Sequence, residues 1–144
     1  MSIDTIVCSG FPGIGKTSFY SEYSDEFTIL DSDSSKFDKK FFPNNYIEHI
    51  KENIGEVDVI LVSSHKDVRD ALVENGIFFD LVYPEIGLKE EYLERYEGRG
   101  SNKDFIDLLD KMWDTWVTEC ENQEGCNHIV LGSGMFLEDA FLEA

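Results

Sequence analysis

Short unbroken apolar runs alternate along this chain with stretches in which apolar residues recur every three or four positions. Residues 3–9 ("IDTIVCS") form the first run and read as a buried strand. A helix is expected from about Lys16 to Tyr23, then a second short strand in "FTILD", 27–31. "NNYIEHIKENIG" sets Tyr46, Ile47, Ile50 and Ile54 on one helical face, with Asn45 and Glu48 at capping-box spacing and Gly55 at the end. "VDVILVSS" (57–64) is an apolar run of strand length, as a parallel strand covered on both faces requires. Ser64 and Asp67 repeat the capping-box spacing before a helix with Val68, Ala71 and Leu72 inside and Gly76 as its stop. "IFFDLVYP" (77–84) reads as a fourth strand closed by Pro84, followed by the charged helix "LKEEYLERYEG". Ser101 and Asp104, again at capping-box spacing, are expected to cap the longest helix, whose inner face is expected to hold Phe105, Leu108, Leu109, Met112 and Trp116. "HIVLGSG" (128–134) supplies a fifth strand and its exit turn, and a short helix closes the chain.

Strands alternating with helices through short connections imply an α/β domain with a mainly parallel sheet covered on both faces. Ligands of such sheets bind at the carboxyl ends of the strands. The connection after the first strand is "GFPGIGKTSF", in which Gly10 to Thr17 satisfies G-x-x-x-x-G-K-[ST] in full. Glycines there let the backbone turn successive N–H groups inward at phosphate oxygens, and the helix that follows adds its positive end. Lys16 reaches the β- and γ-phosphates, and Thr17 offers a hydroxyl to Mg²⁺. A random chain of this length would match less than about once in a hundred. Gly10, Gly13, Ile14, Gly15, Lys16, Thr17 and Ser18 are therefore the expected phosphate-side residues for ATP.

Composition narrows the class of partner. The chain has 144 residues, enough for one domain, and 12 Lys plus Arg against 30 Asp plus Glu, a formal charge of −18. Such a surface repels a nucleic-acid backbone at long range, which favours a small-molecule acceptor. "SSKFDKKF" is the one basic cluster. No apolar stretch reaches the roughly 18 residues of a membrane span, and "MSIDTIVCSG" has no basic signal region, so a cytoplasmic protein is expected. Cys120, Cys126 and His128 lack a fourth ligand for zinc, so the three cysteines are read as structural.

Two further features bear on the reaction. Asp31 and Asp33 stand one residue apart at the end of the second strand, where one carboxylate can orient an acceptor hydroxyl and take its proton, and another can lie near Mg²⁺. Asp and Ser are also ordinary turn residues. The chain has three arginines, and two of them, Arg95 and Arg99, sit in "EEYLERYEGRGS" between Glu91 and the hinge-like Gly98 and Gly100. Guanidinium forks suit a transferring phosphoryl group, although Glu91 and Arg95 also have the spacing of an i, i+4 pair on a solvated helix.

Together the loop, the D-x-D and the late arginines resemble the small P-loop kinases, the group with shikimate kinase, nucleoside and nucleotide kinases, and polynucleotide kinase. The resemblance implies a P-loop NTPase fold, a five-stranded sheet of order 2-3-1-4-5, helices on both faces, and a small lid at about 86–102 of a single 1–144 domain. It implies ATP and Mg²⁺, with Thr17 and Asp31 on the metal side, Asp33 as acceptor base, and Arg95 and Arg99 directed at the phosphates. It also implies that the backbone of Gly132, Ser133, Gly134 and Met135 contacts adenine, where a plain turn into the last helix is the other reading.

No acidic residue ends "VDVILVSSH", where many P-loop proteins place a magnesium-side aspartate; Ser63, Ser64 and His65 stand there. No arginine occurs in 34–56 to clamp an acceptor phosphate, so a hydroxyl acceptor is expected, with a nucleoside or nucleotide first. The alternatives are a kinase of a nucleic-acid end or of a modified base in DNA, and a nucleotide-gated binding module without catalysis.

Overall fold

In a computed structural model, residues 4–32 and 38–142 are described. Five strands make one parallel sheet: β1 (Ile6–Gly10), β2 (Ile29–Asp31), β3 (Val59–Ser63), β4 (Asp80–Pro84) and β5 (Asn127–Leu131). Their order is β2-β3-β1-β4-β5, and every pairing is parallel. This is the P-loop NTPase arrangement, with β1 at the centre. The chain steps one way from β1 to β2 and the other way at each later crossover. Right-handed connections then put α1 (Lys16–Tyr23) on one face and α2 (Asn44–Asn53) and α3 (Lys66–Glu74) on the other. α6 (Leu137–Leu142) joins α1, where Phe19 and Phe141 meet edge to face at 5.5 Å.

Several boundaries differ from the sequence pattern for local reasons. β1 begins at Ile6 because the Thr5 hydroxyl donates to the Val57 carbonyl and accepts from the Gly55 N–H, so a side chain does the work of the ladder there. β4 begins at Asp80, and Phe78 in the approach to it is 69% exposed. None of the three capping boxes forms. Pro43 precedes α2 and His65 precedes α3, neither with a side-chain cap, while Asn45 and Asp67 accept from the next N–H instead. Asn102, not Ser101, caps α5 (Lys103–Glu121), its Oδ1 accepting from the Asp104 N–H at 2.7 Å.

The inner face of α5 also turns out differently. Leu109, Trp113, Val117 and Cys120 are buried, whereas Leu108 is 48% exposed and Phe105, Met112 and Trp116 are half-buried. Trp113 decides this, because its indole finds a polar partner inside. Nε1 donates to the Ile86 carbonyl at 2.7 Å, and the ring meets Phe11 and Tyr92 at 5.4 Å each. α4 (Lys89–Gly98) belongs to the same cluster, since its Tyr92 and Tyr96 are fully buried. No helix among the described residues is long and apolar enough to cross a membrane.

Candidate functional site

The glycine-rich loop leaves the central strand at its carboxyl end and is anchored by its own apolar side chains. Phe11 and Ile14 are buried at 1% and 0% exposure, and each such burial is worth about 1.5–3 kcal/mol. The Phe11 N–H donates to the Val82 carbonyl at 2.9 Å, which continues the β1–β4 ladder into the loop. Between these anchors, Gly13 and Gly15 have φ of 89° and 97°, a region that side chains rarely adopt. Gly15 precedes α1 with no side-chain cap, which leaves the first N–H groups of the helix to another acceptor. At Gly10 a Cβ would come within 2.8 Å of the Lys16 side chain. Lys16 Nζ donates to the Gly10 carbonyl at 2.6 Å, folded back over the loop. Thr17 and Ser18, in the first turn of α1, are exposed. These features fit a triphosphate: an anchored loop with two glycines at positive φ, an uncapped helix start and the Lys16 ammonium beside it.

The metal side fits through a different set of observations. Ser63 ends β3 in register with Gly10, and its buried hydroxyl has no hydrogen-bond partner among the described residues. A polar orphan at the mouth of the loop suits a ligand or its water shell. Asp31 pairs in register with Leu61, which pairs with Cys8. It therefore lies two residues, about 6–7 Å, short of the Gly10–Ser63 level, and it is exposed. Asp33 lies outside the described residues. What surrounds the β2 exit is visible: Tyr46 donates to the Ser32 carbonyl at 2.7 Å, and His49 Nε2 lies 3.1 Å from Ser32 Oγ. The sequence marked Tyr46 only as part of the inner face of α2 and did not mark His49, although their i, i+3 spacing makes them neighbours on the helix.

The arginines part company. Arg95 is nearly buried, its guanidinium lying between the rings of Tyr92 and Phe136 at 4.2 and 4.0 Å. Its Nη1 donates to the Gly13 carbonyl and its Nη2 to the Met135 carbonyl, both at 2.9 Å, with Glu91 3.3 Å away. Arg99 is exposed, donates to Ser101 Oγ and rests near the Tyr96 ring at 5.1 Å. Tyr96 in turn donates to the Pro12 carbonyl at 2.7 Å. Arg69 is 3% exposed and committed to the Ser64 carbonyl, Gln123 and the Glu119 carboxylate. Beside it, Phe11, Pro12, Ser64, His65 and Trp116 line a cleft of about 120 Å³.

The turn from Gly132 to Met135 leads into Phe136 and Leu137, which lie against the loop. The Leu137 N–H donates to the Ile14 carbonyl at 2.8 Å, and Phe136 sits where a Cβ on Gly15 would meet it at 3.2 Å. Glu91 accepts from the Ser133 hydroxyl and from the Gly134 N–H at 3.1 Å. These bonds, the Ser133 one foremost, hold its carboxyl below the usual range. Glu91 had been notable in the sequence only as a partner for Arg95.

No protein-family model and no curated protein sequence matches the chain. Among solved structures, the crystal structure of a gluconokinase from Sinorhizobium meliloti 1021 is similar at a TM-score of 0.49 and 15% identity, over 88% of this chain and 82% of that one. The fold assignment stands on the strand order and the loop described above.

Proposed function

We propose that the chain is a cytoplasmic kinase that transfers the γ-phosphoryl group of ATP to a hydroxyl of a small acceptor, with nucleosides and nucleotides as the first class to test. The observation that carries this reading is the full phosphate loop at the carboxyl end of the central strand, preformed and anchored by Phe11 and Ile14. Lys16 and the loop N–H groups hold the β- and γ-phosphates. Mg²⁺, when bound, neutralises charge across those oxygens. Thr17 would hold it directly, and Asp31 through water. Asp33 orients the acceptor hydroxyl and takes its proton as the oxygen bonds to phosphorus and the bond to the ADP oxygen breaks. The commitment of Arg69 to Glu119 supports a hydroxyl acceptor, since a phosphate acceptor would call for a free guanidinium fork. In this reading 86–102 is a fixed wall of the site rather than a mobile lid, since Tyr92 and Tyr96 are buried, with the exposed Arg99 as its phosphate-side cation, while the 132–135 turn lies along the base.

The experiment is transfer from labelled ATP with Mg²⁺ to a panel of nucleosides, nucleotides, small alcohols and oligonucleotides. A labelled small hydroxyl product, lost in Lys16→Ala with the fold intact, is the expected result. Asp33→Asn should keep ATP affinity and lose roughly 10²–10⁴-fold in transfer. Label on the oligonucleotide alone would replace the small acceptor by a nucleic-acid one. Nucleotide binding with no transfer to any acceptor would leave a binding module.

A further inference from the structure

α4 touches both halves of the proposed nucleotide site at once. Towards the phosphate loop, Tyr96 donates to the Pro12 carbonyl and Arg95 to the Gly13 carbonyl, at 2.7 and 2.9 Å. Towards the β5–α6 turn, Arg95 donates to the Met135 carbonyl, and Glu91 accepts from Ser133 and Gly134. The turn is short, carries two glycines, Gly132 and Gly134, and is closed on itself by the Met135 N–H donating to the Gly132 carbonyl at 3.2 Å, so its hold on the rest of the site has to come from outside. Glu91 supplies it: a carboxylate accepting from two donors of one turn holds that turn as a unit.

A nucleoside triphosphate seated on Gly10–Thr17 must lay its base and sugar on whatever surface adjoins the loop. On the β5 side that surface is Phe136, 41% exposed and packed against Gly15, which continues into a hollow of about 220 Å³ lined with Ser18, Phe19, Glu22 and Glu138. The Glu91-held residues lead directly into Phe136.

We propose that Glu91 is a positioning residue for the nucleoside half of the substrate: by gripping Ser133 and Gly134 it holds the base-side turn at a set distance from the phosphate loop, with Arg95 as the strut between them. This rests on the nucleotide reading above and deepens it. Glu91 touches no reacting atom. Its loss should weaken what binds across both halves and spare what binds the loop alone.

Inorganic tripolyphosphate occupies only the loop, so it separates the two. Titration calorimetry with ATP analogues and with tripolyphosphate, both with Mg²⁺, should show Glu91→Ala binding the nucleotide at least about tenfold more weakly, the size of losing hydrogen bonds to a charged group. Tripolyphosphate affinity should stay within about twofold. In turnover, KM for ATP should rise while kcat is held. Ser133→Ala, at an exposed turn, gives a second route, and its effect should be non-additive with Glu91→Ala because the Ser133–Glu91 bond is lost in both. Unchanged ATP affinity in both variants overturns the inference. So does an equal loss of ATP and tripolyphosphate, which would make Glu91 a general prop of the fold. A wild-type chain that binds neither overturns the nucleotide reading itself, and the inference with it.

Discussion

Cys8 shows how far position outweighs residue type. It lies in the central strand two residues before the phosphate loop, fully buried, and burial pushes its thiol up to about 12 against a smaller opposing pull from Lys16. Cys120, buried on α5, is raised to about 11 for the same reason. Only the thiolate attacks a disulfide reagent, so a raised value means almost no reactive form at pH 8. Native protein should therefore release at most one equivalent of thionitrobenzoate at that pH, from the partly exposed Cys126, and three after unfolding. Rapid reaction of a second thiol would mean that the strand beneath the loop opens readily. The same logic of position separates Arg95 from Arg99. They are alike in the sequence, yet one is wedged between two rings against backbone carbonyls and the other lies in solvent.

At the level of elements, the consequence is a contrast in α4. Arg95→Ala deletes two bonds to backbone carbonyls and a stacked cation, and it should cost about 1.5–3 kcal/mol of stability in a denaturant melt. Arg99→Ala should stay within about 0.5 kcal/mol, as an exposed site does, and lower kcat if its guanidinium meets charge that develops in transfer. Equal melting losses in the two variants would contradict the seating of the helix. The hinge-like glycines at 98 and 100 suggest a charged flap from sequence alone, because the two tyrosines that seat α4 are outnumbered by its acidic residues. Their burial depends on Trp113 and on the space above Gly13, where a Cβ would come within 2.7 Å of the Tyr96 ring.

The whole molecule carries a formal −18, far more carboxylates than its cations can pair. Among the described residues the ion pairs include Lys66–Asp70, Lys89–Asp110 and Arg69–Glu119, so most acidic groups repel one another across the surface. Repulsion of this kind is long-ranged and screened by salt, with a Debye length of about 30 Å at 0.01 M and about 8 Å at 0.15 M. Tm should therefore rise as sodium chloride is raised over that range at pH 7, before nucleotide is added. A Tm that falls with salt would mean that local attraction outweighs the net charge. The same field should keep oligonucleotide affinity low at physiological salt.

Periodicity and local chemistry determined the elements and their order: apolar runs must be buried on both faces, and a fully matched loop after the first strand admits few folds. The elements were legible for that reason, whereas the strand order followed only from the resemblance to the small P-loop kinases, and the sheet has that order, with the loop leaving its central strand. The register that sets Asp31 below Gly10 and Ser63 level with it was not, because register depends on partners far along the chain. Nor was the inner face of α5, where two overlapping apolar stripes compete and Trp113 wins only because the Ile86 carbonyl is within reach. The same holds for caps, where three correct spacings went unused and Asn102 served instead. Glu91 and Arg95 complete the point. As sequence they are one salt-bridged helical pair; the fold brings the Gly13 and Gly134 backbone and the Ser133 hydroxyl to them, and only that proximity turns a surface pair into a brace across the site.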